Sequence, residues 1–116
     1  MRATLDRYFA ALGAMDWRAL ADCLAPEVRR TGPYLDEVRG CEAYLAFLRE
    51  VVPALENYRL EVHEVRALAD GGAVARISES MDHRGTRRSH PELICFDFDG
   101  QGRIAAIDIY LKQAPR

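Results

Sequence analysis

The chain has 116 residues, 49% of them apolar, and its 16 basic and 18 acidic side chains leave a net charge of −2. That length fits one domain, residues 1–116, with enough apolar content for a core, so a disordered chain is excluded. No run is apolar enough for a membrane span or a secretory signal, and the balanced charge gives no reason to expect nucleic acid.

Leu5, Tyr8, Phe9 and Leu12 recur at helical spacing, and Gly13 ends that first helix. Asp16 caps a second helix that carries Trp17, Leu20, Ala21 and Leu24 on one face and stops at Pro26. A short strand over Glu27 to Thr31, a Gly32-Pro33 turn and a brief extended piece at Glu37-Val38-Arg39 follow. Gly40 opens a third helix with the apolar stripe Tyr44, Phe47, Leu48 and Val51, closed by Pro53.

Beyond Pro53 the period becomes twofold. Tyr58, Leu60 and Val62 alternate with Arg59, Glu61 and His63, a half-buried strand running to about Ala69 with His63 outward. Strands over 73–83, 88–98 and 103–113 are separated by turns at Asp70-Gly71-Gly72, Arg84-Gly85-Thr86-Arg87 and Asp99-Gly100-Gln101-Gly102. Three helices followed by a four-strand antiparallel meander make an α+β protein. Cys23, Cys41 and Cys95 form no C-x-x-C pattern, so they are expected to be reduced thiols of a cytoplasmic protein.

A two-residue type II′ turn at Gly85-Thr86 sets a register. It places Ile77 opposite Ile94 and Ala75 opposite Phe96 on an apolar, core-facing side. The same face then pairs Glu79 with Glu92, Met81 with His90 and His83 with Arg88, while Arg76, Ser78, Ser80 and Asp82 face outward. Two opposed carboxylates on an inward face repel unless a shared proton, a cation or a metal compensates them. Burial and a like-charged neighbour both raise a carboxyl pKa, which suits acid–base work near neutral pH. The alternative is a bulge at Pro91 that shifts the register by one, so that the two glutamates separate or one of them faces water in an ordinary ion pair. His83 and His90 with the two glutamates are ligand types that suit zinc or iron, but there is no compact H-x-x-x-H motif and no metal is expected. The arginines 84, 87 and 88 read as a solvated hairpin tip.

Several segments in order resemble the nuclear transport factor 2-like superfamily, and within it the SnoaL-like polyketide cyclases and ketosteroid isomerases. They are Asp6-Arg7-Tyr8-Phe9-Ala10-Ala11-Leu12, Met15-Asp16-Trp17-Arg18-Ala19-Leu20, Thr31-Gly32-Pro33-Tyr34, Arg39-Gly40-Cys41-Glu42 and Phe98-Asp99-Gly100-Gln101-Gly102-Arg103-Ile104. The resemblance implies a cone in which three helices pack inside a strongly curved, mostly antiparallel sheet around one pocket. It also implies a homodimer formed through the outer sheet face. Tyr8 matches the helix-one tyrosine of the isomerases, and His83 resembles a pocket histidine of the cyclases. The isomerases' catalytic base falls at Gly32 or Thr31 here, and their oxyanion-hole acid at Ile94.

Alternation and resemblance together give a candidate site. Glu79, Glu92, His90 and Tyr8 are the expected catalytic groups, with Tyr8 alternatively a hydrogen-bonded core tyrosine. Arg30, His83, Met81, Phe47, Ile77, Ile94, Phe96, Ile107 and Ile109 are the expected substrate-binding residues, with Leu111 as a further wall. The expected ligand is an apolar cyclic or carbonyl compound, handled without cofactor by isomerisation, cyclisation or dehydration. The alternative is a non-catalytic ligand-binding or dimerisation module.

Overall fold

The structure is a computed structural model that describes residues 1–113. Helix α1 (Arg2–Ala14) buries Thr4, Leu5, Tyr8, Phe9, Ala11 and Leu12, the single face that a 3.6-residue period lays against a core. It runs one residue past Gly13 and ends where Met15 turns left-handed (φ 56°), its N–H bonding back to Ala11 and Leu12 carbonyls. Asp16 caps α2 (Trp17–Asp22), accepting from the Ala19 N–H at 3.1 Å. This helix is shorter than its periodicity suggests. Leu24 opens strand β1 (Leu24–Thr31), and Pro26 lies inside that strand, where the pairing with the last strand is irregular between Leu24 and Arg29. A proline is tolerated at such a break because no ladder N–H is needed.

Strand β2 (Glu37–Arg39), helix α3 (Cys41–Val51) and a short 3-10 turn (Val52–Ala54) follow. Strands β3 (Glu56–Ala67), β4 (Ala73–His83), β5 (Thr86–Phe98) and β6 (Ile104–Leu111) form the expected meander. They join β1 and β2 in one six-stranded sheet of order β2-β1-β6-β5-β4-β3, in which only β1 and β6 run parallel. Leu5, Tyr8, Phe9, Tyr44, Ile77, Phe96 and Ile107 belong to a buried cluster between the helices and the inner sheet face. Phe96 meets the rings of Tyr8 and Phe9 edge-on, both at 5.8 Å. No helix among the described residues is long and apolar enough to cross a membrane.

The β4–β5 hairpin departs from the expected register. Its two-residue turn is Arg84-Gly85, both with positive φ (51° and 78°), as a type I′ connection requires, rather than Gly85-Thr86. Every pairing therefore slides by two. Glu79 stands opposite His90, Glu92 opposite Ile77, and His83 opposite Thr86. Pro91 pairs in register with Ser78, without a bulge. Because strand side chains alternate with period two, a slide of two keeps every residue on its expected face. Glu79 and Glu92 remain on the inner side as diagonal neighbours, a separation that long side chains bridge.

Candidate functional site

The inner face of the β4–β5 hairpin and the start of β3 carry the acid groups. Glu92 is 8% exposed, and one of its oxygens, Oε2, is buried with no hydrogen-bond partner. Burial, together with a hydrogen bond to Glu79 and that residue's negative charge, pushes the Glu92 carboxyl up to about 9, against a smaller downward pull from Arg30. Burial thus favours the protonated form of Glu92 at neutral pH. Glu79 is held from the other side by Tyr58 of β3, whose hydroxyl donates a hydrogen bond to its Oε2. Burial and the neighbouring Glu79 in turn raise the Tyr58 hydroxyl above the usual tyrosine range, so it stays a donor.

A cleft of about 140 Å³ opens beside these groups, lined by Glu79, Met81, His90, Glu92, Leu111 and Gln113. On the helical side, the Tyr8 and Tyr44 hydroxyls lie 2.6 Å apart in a buried hydrogen bond. Burial is the largest cause raising both, Tyr44 to about 12. Arg30, on β1 and paired with Ile107, has an 11% exposed side chain. Its guanidinium lies over the Phe47 ring at 4.8 Å and bonds Asp36 Oδ2 at 2.6 Å.

The sequence-derived residues thus separate into three groups. Glu79, Glu92, His90, Met81 and Leu111 share the cleft. Tyr8, Arg30 and Phe47 are not part of its lining: the Tyr8 hydroxyl is engaged by Tyr44, and Arg30 contacts the Phe47 ring and Asp36. Ile77, Ile94, Phe96 and Ile107 are buried in the closed core, with Ile109 packed against it, rather than walls of this cleft. His83 is exposed beside the hairpin turn and does not line the cleft, because the pairing brings it next to the Arg84-Gly85 connection. Among the described residues, no group of three or more His, Cys, Asp or Glu is gathered as a metal site. His63 faces outward and bonds Ser78 Oγ at 2.8 Å.

Three participants lie outside the expected set: Tyr44, on the apolar stripe of α3; Tyr58, in the alternation of β3; and Asp36, in the β1–β2 loop. For the tyrosines a signal was present, since a hydroxyl on a buried stripe needs a partner.

The Glu92 environment has a measurable consequence. An unfolded glutamate titrates near 4.5 and the folded Glu92 near 9, so folding takes up a proton between those values. The contribution of this group is full below the lower value and is lost as pH rises through the higher one, with a slope of up to about 1.4 kcal/mol per pH unit. Urea denaturation across this range should show wild-type stability falling toward alkaline pH. Glu92→Gln, which copies the protonated form, should flatten the profile and be the more stable protein at the alkaline end.

Three helices inside a curved, open six-stranded sheet make the nuclear transport factor 2-like fold, of the α+β class. Within it, the chain belongs to the SnoaL-like domain family, whose model matches residues 5–107. A ketosteroid isomerase candidate from Kribbella flavida DSM 17836 is similar over 99% of this chain and 79% of its own, at 22% identity and TM-score 0.82. Bal32a, from a soil-derived mobile gene cassette, is similar over 97% and 88%, at 18% identity and TM-score 0.84. SalBIII, an epoxide hydrolase/cyclase-like enzyme of pyran ring formation in the polyether salinomycin, is similar over 97% and 90%, at 17% identity and TM-score 0.83. Such identities carry the fold alone. No match was found among curated proteins.

Proposed function

We propose that the protein is a cofactor-independent acid–base enzyme acting on a small, largely apolar cyclic or carbonyl compound, by isomerisation, cyclisation or dehydration. The observation that carries this reading is Glu92, a buried, protonated carboxyl with an unpartnered oxygen at a cleft that also contains Glu79. Native structures leave few buried polar atoms unpaired, and one beside a cleft marks where a ligand or water docks. Two neighbouring carboxyls, one of them held toward its protonated form by burial, supply both halves of an enolisation. Glu79 removes a proton α to the carbonyl while Glu92 gives its proton to the developing enolate oxygen; reversal of the two transfers at another carbon completes an isomerisation. Tyr58 orients Glu79 through its hydrogen bond, and His90, directly opposite Glu79, supplies a further polar contact. Isomerase and cyclase names among the structural relatives agree with this class of chemistry.

The test is proton exchange rather than a guessed product. Cyclic ketones in deuterated buffer should lose α-proton NMR signals faster with the protein than without it. No acceleration across a panel of five- and six-membered ring ketones would sink the proposal.

The same reading includes a homodimer. An apolar groove beside Leu93 and Tyr110, both exposed on the outer sheet face, supports pairing of two copies there. Light scattering should give twice the chain mass, and Leu93→Glu should halve it. The three cysteines are free thiols, which fits a reducing, cytoplasmic setting.

A further inference from the structure

Among the described residues, Arg30 is held differently from every other ion-paired cation. Its side chain is 11% exposed, yet its partner Asp36 is 49% exposed, so one half of the pair is fixed in the wall and the other can turn into water. The contact is single, from Nη1 to Oδ2 at 2.6 Å, while Asp36 Oδ1 takes the Tyr34 N–H at 3.3 Å. The guanidinium is positioned without Asp36: β1 sets its inward direction opposite Ile107, and the Phe47 ring lies under it at 4.8 Å. Glycine at position 32 leaves room for this contact, since a β-carbon there would make the ends of the Asp36 and Arg30 side chains shift. The loop carrying Asp36 faces water on its outer side, although Gly32 N–H bonds the Asp36 carbonyl and Leu35 N–H that of Gly32. Tyr34 and Leu35 are 69% and 85% exposed, and Leu35 has a left-handed backbone (φ 64°), a costly conformation for a branched side chain.

A mostly buried guanidinium needs an anion, and a free carboxylate meets its planar fork with two hydrogen bonds where Asp36 makes one. The acid pair does not serve, because Glu92 keeps its proton and Glu79 is engaged by Tyr58. We propose that Arg30 is the recognition point for a carboxylate on the ligand, and that Asp36 is an internal stand-in which the ligand displaces. The substrate class sharpens accordingly, to a cyclic carbonyl compound bearing a carboxylate. The exchange of one carboxylate for another adds no net charge to the site, so the buried acid pair is not opposed by a new anion. This inference rests on the reading of the cleft as a small-molecule site.

Binding, not turnover, separates the two. Cyclohexanecarboxylate and its neutral counterpart cyclohexanecarboxamide serve as probes, by calorimetry or ligand-observed NMR at fixed low salt, since ion pairs are screened. Asp36→Ala should tighten the acid about fivefold, the upper end for releasing a half-exposed pair, and leave the amide unchanged. Asp36→Asn, nearly isosteric, should do the same if the alanine variant disturbs the loop. Arg30→Gln should remove any preference for the acid. If both Asp36 variants leave acid binding unchanged or weaker, or tighten the amide equally, the stand-in role is wrong while the cleft remains a ligand site. If neither probe binds any variant, the small-molecule reading of the cleft falls, and this assignment with it.

Discussion

Glu79→Gln is expected to lower turnover by roughly 10²- to 10⁴-fold, the usual contribution of a positioned general base. The substitution is chosen because it spares the fold. A glutamine at this place still accepts the Tyr58 hydroxyl through its amide oxygen, so the β3–β4 contact survives while the base is gone. Glu92→Gln should cost less, because the amide still donates a hydrogen bond to an enolate oxygen although it cannot transfer a proton. The ordering of the two variants is therefore part of the expectation. Kinetics of the deuterium exchange measure it directly, with thermal denaturation as the control for folding. Equal activity of wild type and both variants would remove the acid pair from the mechanism.

Phe96→Ala is expected to destabilise the protein by roughly 3–5 kcal/mol, lowering Tm by roughly 10–20 °C. Phe96 is buried on β5 and meets the edges of both Tyr8 and Phe9, so one truncation opens a void between sheet and helix α1. Two interpretations of this residue differ sharply in what they forecast. A pocket wall could be truncated with a modest loss of stability and a marked loss of ligand. A closed core residue gives the reverse, since the packed neighbours relax only partly around the cavity. Denaturant titration that found a loss below about 1 kcal/mol would return Phe96 to the pocket.

Most of the architecture could be read before any coordinates. The helical stripe of Leu5, Tyr8, Phe9 and Leu12, the Asp16 cap and the change to twofold alternation at Tyr58 each correspond to an observed element. These are local signals, carried by neighbours within a turn or two of chain. The hairpin shows where such signals end. Gly85 marks a turn, but whether it fills the first or second central position depends on the residue before it, and Arg84 accepting a positive φ was not visible. Period two then protected the face assignment from that error, which is why Glu79 and Glu92 stayed together. The site was less legible because its contacts are long-range. Tyr8 finds Tyr44 across 36 positions and Tyr58 finds Glu79 across 21, distances over which no periodicity speaks. Asp36 was hidden for a different reason: its carboxylate occupies the space beside Gly32 that a β-carbon would crowd, a fact of volume rather than of pattern.

The place of β6 in the sheet bears on how the protein acquires its chemistry. This strand comes last in chain order yet lies between β1 and β5, and it alone joins the β1–β2 pair to the meander. Arg30 stands on one side of that seam and Glu79 and Glu92 on the other. Contacts between distant stretches of chain close slowly, because the intervening loop entropy must be lost first. The β3–β6 meander, built from neighbours in sequence, can therefore assemble early, whereas Arg30 and the acid pair meet only when β1 pairs with β6. A chain lacking β6 therefore holds Arg30 and the two glutamates on strands that nothing joins into one sheet.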